Sequence, residues 1–390
     1  MTGRVRAACT VVALAACGGT SFGQPLPVSG YLQNVPLAGT AGGGLSDFNR
    51  FRLSTEPAAG PFRLEAAYEH VLTLRRVDAI PGFSLGAVPG GGEWLDLQWT
   101  LVEREHVAWQ HRFDRLSVAW EPSGQLEITA GRQAVSWGTA LFLTPSDPFT
   151  PFSPVDPFRE FRAGVDAVRA RFYPGPFSEI DVVVRPTRSP AGEEWTALGR
   201  GLTTVRNWEI SGWGGTLYGD PAGAFGAAGA LGGWAVRGEG TLRRLRRELV
   251  FRGTIGFDRL LQVGGNDLTF LAEYQRDGLG TADPGEYLDL LESDTFLRGE
   301  HLVLGRDEAV VQASYQLHPL WSVAGLWLWN LNDRSAILGP SLAYSAGNNA
   351  AIAAGVFVGM GADESTDDVP LPSEYGLAGI TGFLSFSWFF

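Results

Sequence analysis

The sequence predicts an all-β fold, a transmembrane antiparallel β-barrel of about 14 strands, with limits of roughly 12 and 16. Apolar residues make up 45% of the chain and charged residues 18%, yet mean hydropathy is only +0.01 because apolar and polar residues alternate. No apolar run reaches the ~18 residues of a spanning helix. The chain ends on ITGFLSFSWFF, with bulky apolar residues at every second position. Such alternation is typical of strands that face lipid on one side and a lumen on the other.

The N-terminus predicts export. Arg4 and Arg6 precede an apolar stretch at 7–17, and small residues follow at the positions that a signal peptidase recognises. Residues 1–23 are therefore predicted to be a signal peptide. A second interpretation stays open, because the residues ending at Cys17 also resemble a lipobox, in which this cysteine would carry a lipid. After ordinary cleavage the mature chain contains no cysteine and hence no disulfide.

The predicted domain organisation is simple. Residues 24–60 are rich in Gly, Pro and Ala with weak periodicity, which predicts an irregular N-terminal segment. The barrel is predicted to occupy 61–390, and its first strand has Phe62 and Leu64 on one face and charged residues on the other. The residues predicted to line the lumen, all on polar strand faces, are Arg63, Glu65, Glu69, Glu248, Arg252 and Glu273.

One strand carries an irregularity. Its apolar parity switches between Phe113 and Leu116, which predicts a β-bulge near Asp114 or Arg115. Tryptophan and tyrosine recur near strand ends, as the aromatic girdles of membrane barrels require. A soluble β-sandwich is the alternative, in which aromatics would pack a shared core. The leader, the long alternation and the terminal strand together favour the barrel.

The stretch 131–172 interrupts the strands. It contains five prolines between residues 145 and 157, and proline cannot donate to a sheet ladder. Its phenylalanines and Trp137 argue against disorder, because such residues are driven into a core. We therefore expect residues 134–165 to form a loop that folds into the barrel and constricts it.

The terminal strand predicts how the chain is assembled. Outer-membrane barrels of Gram-negative bacteria characteristically end in alternating hydrophobic residues and a terminal aromatic, which the barrel-assembly machinery reads. The four residues that match this assembly signal are Leu384, Phe386, Trp388 and Phe390. The last strand must also pair with the first, because an unpaired edge cannot be left in hydrocarbon.

Four short motifs carry a resemblance. They are Gly-Arg-Gln at 131–133, Ser-Trp-Gly at 136–138, Pro-x-Asp-Pro-Phe at 145–149 and Arg-x-Gly-x-Asp-Ala-x-Arg at 162–169. This region resembles porin-like outer-membrane barrels of Gram-negative bacteria, including relatives of alginate-export-type channels. The resemblance spans about forty residues and implies a membrane location and a pore-like architecture, without implying a substrate.

Charges within and after the loop form the predicted pore constriction. Acids and arginines opposed across a narrow lumen create a transverse field that selects solutes by size and charge. The predicted constriction residues are Asp147, Asp156, Arg159, Glu160, Arg162, Asp166, Arg169 and Arg171. In the alternative interpretation, the same residues form salt bridges that pin the loop to the wall and contact no solute.

Other function classes find little support. The formal net charge is −12 and no basic stripe is present, which argues against nucleic-acid binding. His111, Asp114 and Ser117 are the residue types of a catalytic triad, but strand geometry separates His111 from Asp114, so we predict no enzyme. The absence of paired histidine spacing predicts no metal site, and no cofactor is expected. The acidic run Asp363, Glu364, Asp367 and Asp368 is interpreted as a solvated loop.

The predicted function is a porin-like channel for passive or weakly selective diffusion of small solutes, with the inward loop setting the pore size. The alternative is a plugged, non-conducting barrel that acts as a structural or interaction platform. The expected location is the bacterial outer membrane, and the expected partners are its lipid and lipopolysaccharide and the barrel-assembly machinery. The oligomeric state stays open.

Overall fold

A computed structural model describes residues 28–40, 44–75, 92–149, 158, 161–189, 192–367 and 369–390. Several predictions lie outside these residues: the signal peptide 1–23 with its Cys17 alternative, the constriction residues Asp156, Arg159 and Glu160, and Asp368 of the acidic run. In the part of the chain described, no helix has the length and apolarity needed to span a membrane.

The described chain is almost entirely β-structure. The strands are β1 (Val28–Gly39), β2 (Leu45–Thr55), β3 (Ala58–Ala59), β4 (Phe62–Arg75), β5 (Gln98–Arg104), β6 (Val107–Ser123), β7 (Leu126–Gln133), β8 (Val165–Gly175), β9 (Ser178–Ser189), β10 (Gly192–Val205), β11 (Trp208–Leu217), β12 (Asp220–Leu231), β13 (Trp234–Leu245), β14 (Glu248–Val263), β15 (Asn266–Asp277), β16 (Asp307–His318), β17 (Trp321–Asn330), β18 (Ala336–Ser345), β19 (Ala350–Met360) and β20 (Ile380–Phe389). Two short α-helices, α1 (Tyr287–Leu291) and α2 (Asp294–Leu297), and 3₁₀ turns at Pro284–Glu286 and Gly376–Ala378 lie in connections.

The strands close into one antiparallel barrel. Each main strand pairs with its neighbours, and β1 pairs with β20 from Tyr31 opposite Phe389 to Gly39 opposite Thr381. The two-residue β3 pairs with β4, and β5 with β6, so both stand outside the ring. The ring in the described residues therefore has eighteen strands. The prediction of an all-β transmembrane-type barrel is confirmed, whereas its size of about 14 strands is wrong.

Two strands were missed because bulky apolar residues interrupt the polar series on their inner faces. Residues 28–55, within the segment predicted to be irregular, form β1 and β2. Their inward residues Val35, Leu37 and Phe48 are buried in one cluster with Leu143 and Phe158 of the inward loop. A strand whose lumenal side is covered by a loop loses the apolar–polar alternation by which it would be recognised. The barrel thus begins at β1 and not at residue 61.

The two ends of the barrel differ in their connections. One end carries the start of β1, the end of β20 and tight turns such as 124–125, 206–207 and 264–265. The other end carries long connections at 76–106, 134–164, 278–306 and 361–379. Short turns are characteristic of the periplasmic end of outer-membrane barrels, and long loops of the extracellular end.

Polar side chains point into the lumen. On β14, Leu249, Phe251 and Ile255 are exposed on the outer surface, whereas Arg252 and Thr254 are buried inside. The predicted bulge in β6 is confirmed: Ala67 pairs with Arg115 and Tyr68 with Phe113, which leaves Asp114 as the extra residue. Because of this bulge, the charged side chains of Arg112, Asp114 and Arg115 all point towards the interior.

Candidate functional site

The loop between β7 and β8 lies against the inner wall of the barrel. The carboxylate of Glu239 on β13 accepts hydrogen bonds from the backbone N–H groups of Thr139, Ala140 and Ser146, the last at 3.0 Å. The carboxylate of Glu273 on β15 accepts from three more, those of residues 141–143, at 2.7–3.0 Å. Both glutamates are buried on the lumenal face. Two wall carboxylates therefore hold the proline-rich loop, whose amides have no ladder partners.

Further contacts hold the loop on the side of β8–β11. The indole N–H of the buried Trp137 donates to Asp181 on β9 at 2.8 Å, and Arg169 of β8 donates to the same carboxylate. The indole N–H of Trp213 donates to the carbonyl of Ser146 at 3.0 Å. Phe149 packs edge-to-face on Trp137. The loop thus forms a small core of its own against this wall.

A buried ion-pair network occupies the wall formed by β2, β4 and β6. Arg52 donates to Glu69 and to Asp114, both at 2.8 Å. Arg112 donates to Glu69 through two nitrogens at 2.7 and 2.8 Å, and Arg115 donates to Asp114 at 2.7 Å. Alternating acids and arginines within one wall neutralise one another and stiffen it.

The five predicted constriction residues that the structure describes lie in four different places. Asp147 and Arg162 come together within the loop at 2.6 Å, and Asp147 also accepts from Ser136 at 2.7 Å, which fits the pinning alternative. Arg169 is bound to Asp181 on the wall, as described above. Arg171 is a partly exposed, lumen-facing residue that pairs with Glu127.

Asp166 does not face the lumen, so its prediction as a constriction residue is wrong. It shares the outward parity of Val168 and Phe172, both exposed. Its carboxylate forms an ion pair with Arg132 at 2.8 Å. It also accepts hydrogen bonds from the backbone N–H groups of residues 94 and 95, which cross the outer side of β8. The prediction placed Asp166 and Arg169 at one site, although residues three apart on a strand point in opposite directions.

Most of the predicted lumen-lining residues do point inward. Glu69, Arg252 and Glu273 are buried on the inner face, and Arg63 and Glu65 are partly exposed near the short-turn end. Glu248 differs, because it is exposed at the long-loop rim where β14 begins. Its prediction as a lining residue of the pore wall is therefore wrong. The alternation identifies the face of the strand on which Glu248 lies, but not its position along the barrel axis.

The sequence patterns did not predict that Asp181 and Glu239 hold the loop. Nor did they predict that Arg52, Arg112 and Asp114 form the ion-pair network around β6. A signal existed for Glu239, since Arg237, Glu239, Thr241 and Arg243 alternate along β13. For Arg52 the signal was lost with β2 itself.

The long loops after β15 and β19 cover another part of the inner wall. Asn330 of β17 donates to the hydroxyl of Tyr287 and to Glu374, both at 2.9 Å, and Glu374 accepts the backbone N–H of Leu304 at 2.7 Å. Burial raises the pKa of Glu374, and burial beside Asp333 raises the pKa of Tyr287. Both loops are thereby tied to the barrel through hydrogen bonds shielded from water.

A cavity of about 360 Å³ lies between the inward loop and the wall of β16–β20 and β1. Phe142 and Phe158 of the loop form one side. The other side is formed by small residues together with three bulky ones, namely Ala324, Ser341, Ala353, Leu326, Phe357 and Phe383. Space therefore remains beside the loop on the side where inward residues are small.

The remaining predicted groups can be located directly. Ile380, Leu384, Phe386, Trp388 and Phe390 are exposed on the outer surface. His111 has outward parity, whereas Asp114 and Ser117 are buried inside, so the triad types do not converge. The described residues contain no group of three or more His, Cys, Asp or Glu side chains suited to a metal ion.

No protein-family model and no curated protein matches the chain. Solved structures do. The crystal structure of Acinetobacter baumannii OccAB1 has a TM-score of 0.54 at 9% identity, over 93% of this chain and 94% of that one. Pseudomonas aeruginosa OccD3 (OpdP) has a TM-score of 0.52 at 13% identity, over 94% and 91%. A BenF-like porin from Pseudomonas fluorescens Pf-5 has a TM-score of 0.53 at 12% identity, over 94% and 99%. The chain therefore shares the fold of porin-type barrels along nearly its whole length.

Proposed function

We propose that this protein is an outer-membrane channel for the passive or weakly selective diffusion of small solutes, narrowed by the loop at 134–165. The short-turn end faces the periplasm and the long loops face the exterior. The shared fold of porin-type barrels supports this assignment over a structural platform. The narrower likeness to alginate-export-type channels concerns the loop motifs only, and it does not identify a solute.

One observation carries the proposal: the loop is fastened to one side of the lumen and leaves space on the other. Its amides are held by Glu239 and Glu273, whereas the cavity of about 360 Å³ borders the small residues of β17–β19. A plug would need side chains that fill this cavity. An eccentric loop beside an open cavity makes a constriction.

The solute path follows from this arrangement. It enters among the long loops, passes between Phe142 and the small-residue wall, and leaves past partly exposed charges near the short-turn end. Those charges include Arg63, Glu65 and Arg171, each of which pairs with a residue of opposite charge. Mixed charges of this kind favour weak selectivity and a hydrated path.

The test is single-channel conductance of the refolded protein in a planar bilayer. Ala353→Trp places a large ring in the proposed path, and we expect it to reduce conductance by more than half. Ala354→Trp is the matched control, because Ala354 follows Ala353 on the same strand and its side chain points outward. An equal effect of the two variants, or no conductance from the wild type, would contradict the proposal.

A further inference from the structure

The outer surface of β12–β16 has an apolar groove of about 740 Å³. On its floor Ala227 of β12 pairs with Gly238 of β13, and the ladder continues at this level through Ile255 and Tyr274 to Ala309 of β16. Small residues therefore lie on both sides of the floor, with two bulky side chains between them. Phe225 and Phe257 form its walls. The volume lies within the about 300–1,000 Å³ that is typical of ligand pockets.

Three arginines stand at the extracellular end of this groove. Arg244 ends the outward face of β13, and Arg246 and Arg247 form the turn to β14. All three are exposed. Their neighbour Arg243 pairs with Asp220 and Glu300, but none of the ion pairs found in the described ranges involves the three exposed arginines.

The arginines and the groove form one continuous surface. Arg244 pairs across the ladder with Leu249, and the next outward pair is Leu242 with Phe251. These three apolar side chains are all exposed. Gly240, at the upper edge of the groove, is four residues from Arg244, a distance of about 13 Å along the strand. The surface therefore places a positively charged site next to an apolar groove, which is the arrangement that an amphiphilic ligand with a charged head and an apolar tail would fit.

We propose that this surface binds a phosphorylated, acylated lipid of the outer leaflet, with its phosphate on the three arginines and an acyl chain in the groove. The planar guanidinium fork matches phosphate geometry, and burial of the chain adds a hydrophobic contribution. The assignment rests on the membrane orientation of the proposed function.

Charge favours a lipid over a second barrel as the occupant. Asp307, an outward carboxylate on β16, is already bound by Arg276 at 2.8 Å and by the hydroxyl of Tyr274 at 2.6 Å. A second copy docking here would find no free carboxylate on this face of β15 and β16 for the arginines, whereas a lipid phosphate supplies the missing anion.

The experiment is native mass spectrometry of the full barrel in detergent. The probes are lipid A with two phosphates and the same lipid with its phosphates removed. Arg244→Gln/Arg246→Gln/Arg247→Gln and Ala227→Trp test the head and tail sites. Arg206→Gln is the control for the arginines, because Arg206 is also exposed in a two-residue turn, with φ 59° against 55° for Arg246, but at the opposite end. Ala354→Trp is the control for the groove.

We expect the wild type to prefer the phosphorylated lipid, and the triple variant to lose about tenfold or more in affinity, because its charge-assisted hydrogen bonds to phosphate are removed. Ala227→Trp should weaken both lipids, and the controls should bind as the wild type does. Equal binding of both lipids, or an unaffected triple variant, would overturn the inference. So would Ala227→Trp converting an oligomer to monomers without changing lipid binding. Conductance of the same samples separates the proposals: a barrel that selects the lipid but passes no current contradicts the channel alone.

Discussion

Asp114 illustrates how one residue organises a wall of the lumen. As the extra residue of the β6 bulge, it brings its carboxylate between Arg52 and Arg115, which both bind it within 2.8 Å. Its other oxygen accepts the backbone N–H of Gly164, where the inward loop returns to β8, at 3.3 Å. A buried acid with two guanidinium partners is costly to remove, because the remaining charges lose their counter-ion in a dry environment.

We expect Asp114→Ala to lower the free energy of unfolding by about 3 kcal/mol, because it leaves buried arginines undercompensated. The measurement is urea-dependent unfolding of the protein refolded in lipid vesicles, followed by tryptophan fluorescence. Glu121→Ala is the control, since Glu121 pairs with Arg63 at an exposed site near the short turns, where a pair contributes about 1 kcal/mol or less. Similar losses for the two variants would contradict the assigned role of the bulge.

At the scale of elements, the inward loop and the strands β13 and β15 act as one unit. Prolines deprive the loop of ladder hydrogen bonds, so its exposed amides need acceptors from elsewhere. Glu239 and Glu273 supply them from neighbouring positions on the inner wall, and each carboxylate accepts three bonds. Removing these acceptors should release the loop while the strands stay paired.

Glu239→Gln/Glu273→Gln should raise single-channel conductance at least twofold and increase its fluctuations. An amide keeps the side-chain volume but weakens charge-assisted hydrogen bonds worth about 1.5–3 kcal/mol each. Asp307→Asn is the control, because Asp307 is a carboxylate on the outward face of β16 that binds Arg276 and Tyr274 and does not bind the inward loop. Unchanged conductance in the double variant would mean that the other contacts of the loop, such as those of Trp137 and Gly164, hold it without the two glutamates.

At the scale of the whole molecule, closure of the barrel brings the first and last strands together. The backbone of Phe390 exchanges hydrogen bonds with Gly30 at 2.8 and 2.9 Å, and its ring lies 6.2 Å from that of Phe51. The last residue thus completes the ladder between β20 and β1 at the short-turn end. Its outward ring is available for recognition before closure.

Phe390→Ala should lower the amount of protein assembled in the outer membrane several-fold, because the terminal aromatic is the predicted assembly signal. Its refolding in detergent should stay close to that of the wild type, since the backbone contacts persist. The matched control is Phe389→Ala, the adjacent aromatic of opposite parity, which contacts Tyr31. Quantification of membrane fractions is the measurement, and equal depletion of both variants would argue against a sequence-read signal.

The sequence by itself determined the barrel class, the outward faces of its regular strands, the bulge in β6 and the apolar terminal strand. These features are local, because they depend on the period-two alternation of side chains. The tertiary structure decided the number of strands, the attachment of the loop and the direction of Asp166. Val35 and Phe48 are apolar because a distant loop covers them, and Glu239 is an anchor because that loop lacks ladder partners. The alternation along β13 places Glu239 on the inner face, but it does not identify the distant loop that this side chain binds.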